Sequence, residues 1–157
     1  MKKITGWLVA SALVVHAGVF DKGQKNVALT VGSGSGYNSN YTIVGVTANY
    51  YAISGLSVGL GYRGWFGGNP TLNEVDVPLT YFIPLQSRIR PYIGGFYRHT
   101  FVSGDDDDYD TYGGRAGISV VQGNGYVSAG WVQERYSRDS GGDSGRGYPE
   151  ISAGFSF

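Results

Sequence analysis

From residue 26 onward the sequence switches between apolar and small or polar residues at every step, in eight separate stretches. Leu56-Ser57-Val58-Gly59-Leu60-Gly61-Tyr62-Arg63 is the clearest of them. A period of two belongs to a β-strand, whose successive side chains point to opposite faces. The stretches fall at about residues 26–34, 42–52, 56–66, 74–83, 90–102, 112–121, 126–136 and 148–157. Each is near the ~9–11 residues with which a tilted strand crosses a bilayer. The spacing therefore predicts an all-β fold, a closed antiparallel up-and-down barrel of eight strands.

The linkers alternate in length. Residues 53–55, 84–87 and 122–125 make short turns, whereas 35–41, 67–73, 103–111 and 137–147 are longer and polar. Short connections on one rim and long ones on the other are the build of an outer-membrane barrel, with the short turns in the periplasm. Both chain ends then lie on the periplasmic side. Pro78 sits inside the fourth stretch, where it has no N–H to give to a ladder, and a bulge is expected there.

The two faces decide what surrounds the barrel. Leu56, Val58, Leu60, Tyr62 and Phe66 share a face opposite Ser57, Gly59, Gly61, Arg63 and Trp65. Val75, Val77, Leu79, Tyr81 and Ile83 oppose Glu74, Asp76, Pro78, Thr80 and Phe82, and Ile151, Ala153, Phe155 and Phe157 oppose Glu150, Ser152, Gly154 and Ser156. A soluble, lipocalin-like barrel turns its apolar set inward, and a transmembrane barrel turns it outward. The polar set is mostly Gly, Ser and Thr, which suits a narrow interior better than a watery surface. Aromatics of the apolar face gather near the strand ends: Tyr50, Tyr81, Phe155 and Phe157 at one, Tyr62, Phe66, Tyr97, Phe101 and Tyr112 at the other. Two such girdles mark two membrane interfaces.

Composition agrees with export. The first residues read as a signal peptide, with Met1-Lys2-Lys3 positive, an apolar run from Ile4 to Val15 and a small-residue cleavage site ending at Ala17. Residues 1–17 are thus expected to be removed, leaving 18–157 as a single barrel domain. The 27 glycines and 13 tyrosines suit short strands and tight turns, and the absence of cysteine excludes disulfides and thiolate metal sites. A formal net charge of +0 with no basic stripe gives nucleic acid nothing to bind.

The last residues, Glu150-Ile151-Ser152-Ala153-Gly154-Phe155-Ser156-Phe157, resemble the C-terminal β-signal of outer-membrane proteins, with Phe155 and Phe157 in its two final hydrophobic positions. Ser152 stands where that signal often carries a glycine. With the leader and the eight stretches, the mature chain resembles the small eight-stranded outer-membrane barrels of the OmpA/OmpX type. The resemblance implies folding by the barrel-assembly machinery and residence in the outer membrane. Outer-membrane lipids and lipopolysaccharide would be its neighbours, and a monomer is expected.

Charges on the inward parity are the sharpest internal signal: Arg63, Glu74, Asp76, Arg98, Arg115, Glu134 and Glu150, all in the extracellular half. Buried charges persist when paired and hydrogen-bonded. The leading reading is a salt-bridged plug, since eight strands leave little more than room for side chains. A gated ion path and a proton-handling pair remain alternatives. Small outer-membrane barrels also include lipid A-modifying enzymes, for which a His with a Ser and an acid at the rim is the arrangement to seek. His99 is the only histidine after residue 17, it points outward, and Phe101 stands where the deacylase pattern has serine. The function read from the sequence is accordingly structural or surface-interacting, not enzymatic, with no cofactor. Asp105, Asp106, Asp107, Asp108 and Asp110 are weak metal candidates in the third polar linker. Their spacing lacks the alternation of a calcium loop.

Overall fold

A computed structural model describes residues 18–138 and 142–157, and the expected signal peptide lies outside them. Eight antiparallel strands follow one another: β1 (Lys25–Gly36), β2 (Ser39–Ile53), β3 (Leu56–Phe66), β4 (Leu72–Phe82), β5 (Ile89–Val102), β6 (Tyr109–Gln122), β7 (Gly125–Arg138) and β8 (Gly142–Ser156). Each pairs with the next, and β8 pairs with β1 from Asn26↔Ser156 to Gly32↔Glu150. Beyond that seam Phe157 donates its N–H to the Lys25 carbonyl at 2.9 Å. Closure gives every strand two partners, so no edge of unpaired amides faces the surroundings.

The strands reach further than the sequence suggests at the end away from the termini. There the linker expected over 35–41 shrinks to Tyr37-Asn38, because β1 and β2 pair up to Gly36↔Ser39. Both residues have positive φ, 50° and 56°, the conformation of a two-residue hairpin turn with the right twist for its strands. Of the other expected long linkers, 67–71 and 103–108 stay outside the strands, and β8 takes up 142–147. At the opposite rim the connections are 54–55, 83–88 and 123–124. The contrast in loop length is therefore weaker than expected, since polar residues such as Asn40 and Ser144 continue the ladder instead of looping.

Pro78 also differs from expectation. Its pairing with β5 runs in unbroken register, Pro78↔Phe96, and β3 resumes the same register on either side of it, Val58↔Leu79 and Gly61↔Asp76. The missing N–H interrupts the ladder locally and inserts no extra residue. The register shift of this sheet lies between Tyr51 and Ile53 in β2 instead.

The face assignment holds throughout. Leu29, Leu60, Ile93 and Ile151 project from the wall, with Leu29 and Leu60 both 61% exposed. Tyr50, Tyr81, Phe155 and Phe157 ring the end that carries the termini, and Tyr62, Phe66, Tyr97, Phe101 and Tyr112 ring the other. This outer belt is apolar over its height, while Arg63, Glu74, Arg98 and Glu134 are buried inside. Two apolar clusters also sit in the lumen, at opposite ends. One joins Tyr41, Ile43, Trp65, Leu72, Phe96, Val132 and Tyr148, and the other Val19, Phe20, Ala28, Tyr51, Phe82, Tyr92 and Tyr126.

Candidate functional site

All seven charges selected from the sequence turn into the lumen, and the barrel brings them together. Arg98 on β5 is the centre of one group. Its Nη1 donates to Glu134 Oε2 on β7 at 2.6 Å and to the Tyr148 hydroxyl at 3.2 Å, and its Nε faces Glu74 Oε2 on β4 at 3.3 Å. Tyr148 in turn donates to Glu134 Oε2 at 3.2 Å, and Thr100 donates to Glu74 Oε1 at 3.3 Å. The Phe96 ring lies 4.3 Å beneath the Arg98 guanidinium, a cation–π contact in a desolvated setting.

A fourth arginine completes this group. Arg146 Nε donates to Glu134 Oε1, and its Nη2 lies 3.6 Å from Glu74 Oε1. Arg98 and Arg146 thus alternate with Glu74 and Glu134 in a closed ring of charges. The Trp65 ring covers Arg146 at 4.1 Å. Arg146 falls in the expected linker 137–147, so the sequence alone shows three inward arginines against four acids. The signal was present, because parity counted back from Glu150 through Tyr148 turns Arg146 inward.

The second group lies closer to the termini. Arg63 on β3 pairs with Asp76 on β4, Nε to Oδ1 at 3.4 Å, and spans the lumen to Glu150 Oε2 on β8 at 3.3 Å. Arg115 Nη1 on β6 meets the other oxygen of Glu150 at 3.2 Å. Four arginines therefore face four carboxylates: Arg63, Arg98, Arg115 and Arg146 against Glu74, Asp76, Glu134 and Glu150. Arg63–Asp76, Arg98–Glu74 and Arg146–Glu134 join adjacent strands. Arg98–Glu134, Arg63–Glu150, Arg115–Glu150 and Arg146–Glu74 cross between strands that are not neighbours, which braces the barrel through its middle.

Glycine makes the space for these long side chains. A Cβ on Gly45 would sit 2.8 Å from Arg63 Cγ, inside contact distance, so the inward position of β2 opposite Arg63 must be bare. Below the network a polar cavity of about 40 Å³ is lined by Thr30, Thr47, Asn49, Ser128, Arg115 and Glu150. At ~10–15 Å³ per site it has room for a few water molecules.

The remaining candidates lie outside the lumen. His99 Nδ1 is 2.7 Å from Asp110 Oδ1 at the outer rim, and its ring, 39% exposed, meets Phe101 edge-on at 4.7 Å. Asp108 Oδ1 accepts the Val102 N–H at 2.9 Å. Asp108 and Asp110 therefore serve the connection from β5 to β6. No group of three or more potential metal ligands converges among the described residues, so the structure does not bring Asp105, Asp106, Asp107, Asp108 and Asp110 together as a metal site. Phe155 and Phe157 face outward at the seam, in the two-residue rhythm on which the assembly signal was read.

No protein-family model and no curated protein matches the sequence. Solved structures do match. The N-terminal β-barrel domain of Pseudomonas aeruginosa OprF superposes with a TM-score of 0.69 at 14% identity, over 87% of this chain and 98% of that domain. Neisserial surface protein A (NspA) gives 0.65 at 16% identity, over 85% of this chain and 96% of that one. The chain has the fold of the small eight-stranded outer-membrane β-barrels.

Proposed function

We propose that this chain is an integral protein of a bacterial outer membrane whose lumen is closed by its charge network, and whose role is structural or surface-interacting rather than enzymatic. The observation that carries this reading is the inversion of the barrel, with an apolar belt and two aromatic girdles outside and an eight-membered network of charges inside. Leu, Val and Ile exposed on every strand find their favourable surroundings in lipid acyl chains. Eight strands leave an interior with little more than room for side chains, and the ion pairs that cross this one support a closed lumen. Lipids and lipopolysaccharide are the proposed surroundings of the wall, and the barrel-assembly machinery the proposed reader of the strand that ends at Phe157. The barrel is proposed to act as a monomer.

Cell fractionation tests the placement. The protein should sediment with outer membranes, require detergent for extraction, and run as a compact band until heated, since a closed barrel keeps its sheet in mild detergent. Recovery as a soluble periplasmic protein would overturn it.

A narrow gated pore is the second reading. It is favoured by the polar cavity below the network and by Arg115, which has one carboxylate partner and a side chain 12% exposed. A lipid-modifying enzyme has less support, because His99 is engaged by Asp110 and packs on Phe101 instead of a serine.

A further inference from the structure

We infer that residues 18–21 form a tethered seal across the periplasmic mouth of the barrel, a closure separate from the charge network. The segment precedes β1 and belongs to no strand, yet Val19 is only 5% and Phe20 only 7% exposed. An N-terminal lead-in with no role would trail into solvent, since ordering it costs backbone and side-chain entropy. Here the chain turns back on itself instead. The Asp21 N–H donates to the Gly18 carbonyl at 3.0 Å, and the Asp21 carboxylate accepts from the Gly18 nitrogen at 2.5 Å.

That turn drives Phe20 into the lumen. Its ring stacks on Phe82 of β4 with centroids 4.0 Å apart and planes 14° from parallel, and it meets Tyr126 of β7 edge-on at 5.1 Å. Tyr51 of β2 closes the third side at 5.7 Å. Three strands that are not neighbours thus send rings to one central residue from outside the sheet. Phe20 fills the slot that Tyr51, Phe82 and Tyr126 leave along the axis. Its backbone is fastened at two places on the rim: Gly55 N–H donates to the Phe20 carbonyl at 2.7 Å, and Ser156 Oγ donates to the Val19 carbonyl at 2.9 Å. These anchors lie beside β1, on the turn after β2 and on β8, while the Phe20 ring reaches Phe82 of β4 and Tyr126 of β7, so the segment extends from the wall into the mouth. A cavity of about 120 Å³ remains on one side of the segment, where Pro84, Arg90 and Gly123 of the rim line it.

The polar cavity lies between this seal and the network. Tyr51, Phe82 and Tyr126 line its floor, and Arg115 and Glu150 its roof. The lumen therefore has two closures in series, an aromatic one below and an ionic one above. The upper closure rests on the proposed function, but the lower one does not.

A chain without cysteine allows a direct test with one introduced thiol. Thr47 is buried on the cavity wall, so Thr47→Cys reports access to the space between the closures. The processed protein is purified in detergent and treated with methyl methanethiosulfonate, and bilayer conductance is recorded in parallel. Thr47→Cys alone should react slowly, and adding Phe20→Ala should speed the reaction at least tenfold while conductance stays at background. Equal rates with and without Phe20 overturn the seal. Fast reaction of Thr47→Cys alone also overturns it: at background conductance the charge network survives, and with steady conductance both closures fall. Should Phe20→Ala not fold, Ser156→Ala, which frees the Val19 carbonyl and leaves the rings intact, is expected to give a smaller rise in rate, and no rise would count against the seal.

Discussion

Arg98 and Arg146 are held by the same two carboxylates. Glu134 gives one oxygen to each arginine, and so does Glu74, with Arg98 Nη1 at 2.6 Å from Glu134 Oε2 and Arg146 Nη2 at 3.6 Å from Glu74 Oε1. Such sharing fixes the side chains more firmly than isolated pairs would, because ordering one carboxylate serves two cations. It also means that neither arginine is replaceable by rotation of the other.

Removing the central member should therefore be costly. Arg98→Ala leaves Glu74 and Glu134 buried with only Arg146 between them, and loss of one partner from a dry ion pair costs ~3–5 kcal/mol. Arg115→Ala should cost less, since Arg115 is partly exposed and has one carboxylate partner, Glu150, which keeps Arg63. Urea unfolding in detergent should rank Arg98→Ala well below Arg115→Ala in stability. Equal and small losses, nearer the ~0–1 kcal/mol of exposed pairs, would mean a wet lumen.

Coupling within the ring of charges gives a sharper check. In a double-mutant cycle of Arg146→Met and Glu134→Gln, the two side chains touch directly and belong to one ring with Arg98 and Glu74. Their effects should be non-additive by ~0.5–3 kcal/mol, as for contacting members of one network. Additive losses would show that the ring of charges does not act as a unit.

The bare position opposite Arg63 should not accept a side chain. Gly45→Val places carbon where Arg63 Cγ already lies, so Arg63 must shift away from Asp76 and Glu150. Overpacking of this kind costs ~1–3 kcal/mol. Gly123→Ala, at a turn with φ of 58° and open space around it, should cost less, through backbone strain alone. Comparable unfolding midpoints for the two variants would contradict the packing account.

The final strand should be sensitive at its last residue. Phe157 closes the seam through its backbone to Lys25 and presents its ring outward at the girdle. Phe157→Asp should lower the level of heat-modifiable protein in outer membranes and raise degraded material in the periplasm. Undiminished assembly would show that the aromatic end is incidental.

The strands, their faces and the seven charges were readable because a period of two is local: each residue declares its side by its neighbour. Arg146 escaped because Gly142, Asp143, Ser144 and Gly145 carry turn-like chemistry, and only pairing with β7 makes them a strand. The hairpin at Tyr37-Asn38 escaped for the same reason, with polar β1 and β2 ends laddered beyond the apolar belt. Cross-lumen partners such as Arg63 and Glu150 depend on barrel closure, which no local pattern encodes. Phe20 was hidden more deeply, since nothing in Val19-Phe20-Asp21 separates a residue that enters the lumen from one that precedes a strand.

Conductance of the wild-type barrel in a planar bilayer shows whether the charge network closes the lumen. Background current is expected over both polarities of voltage, with no ohmic step at insertion, because cross-lumen pairs such as Arg98–Glu134 and Arg63–Glu150 occupy the section an ion would need. A steady, ohmic conductance from the folded, heat-modifiable protein would contradict that closure.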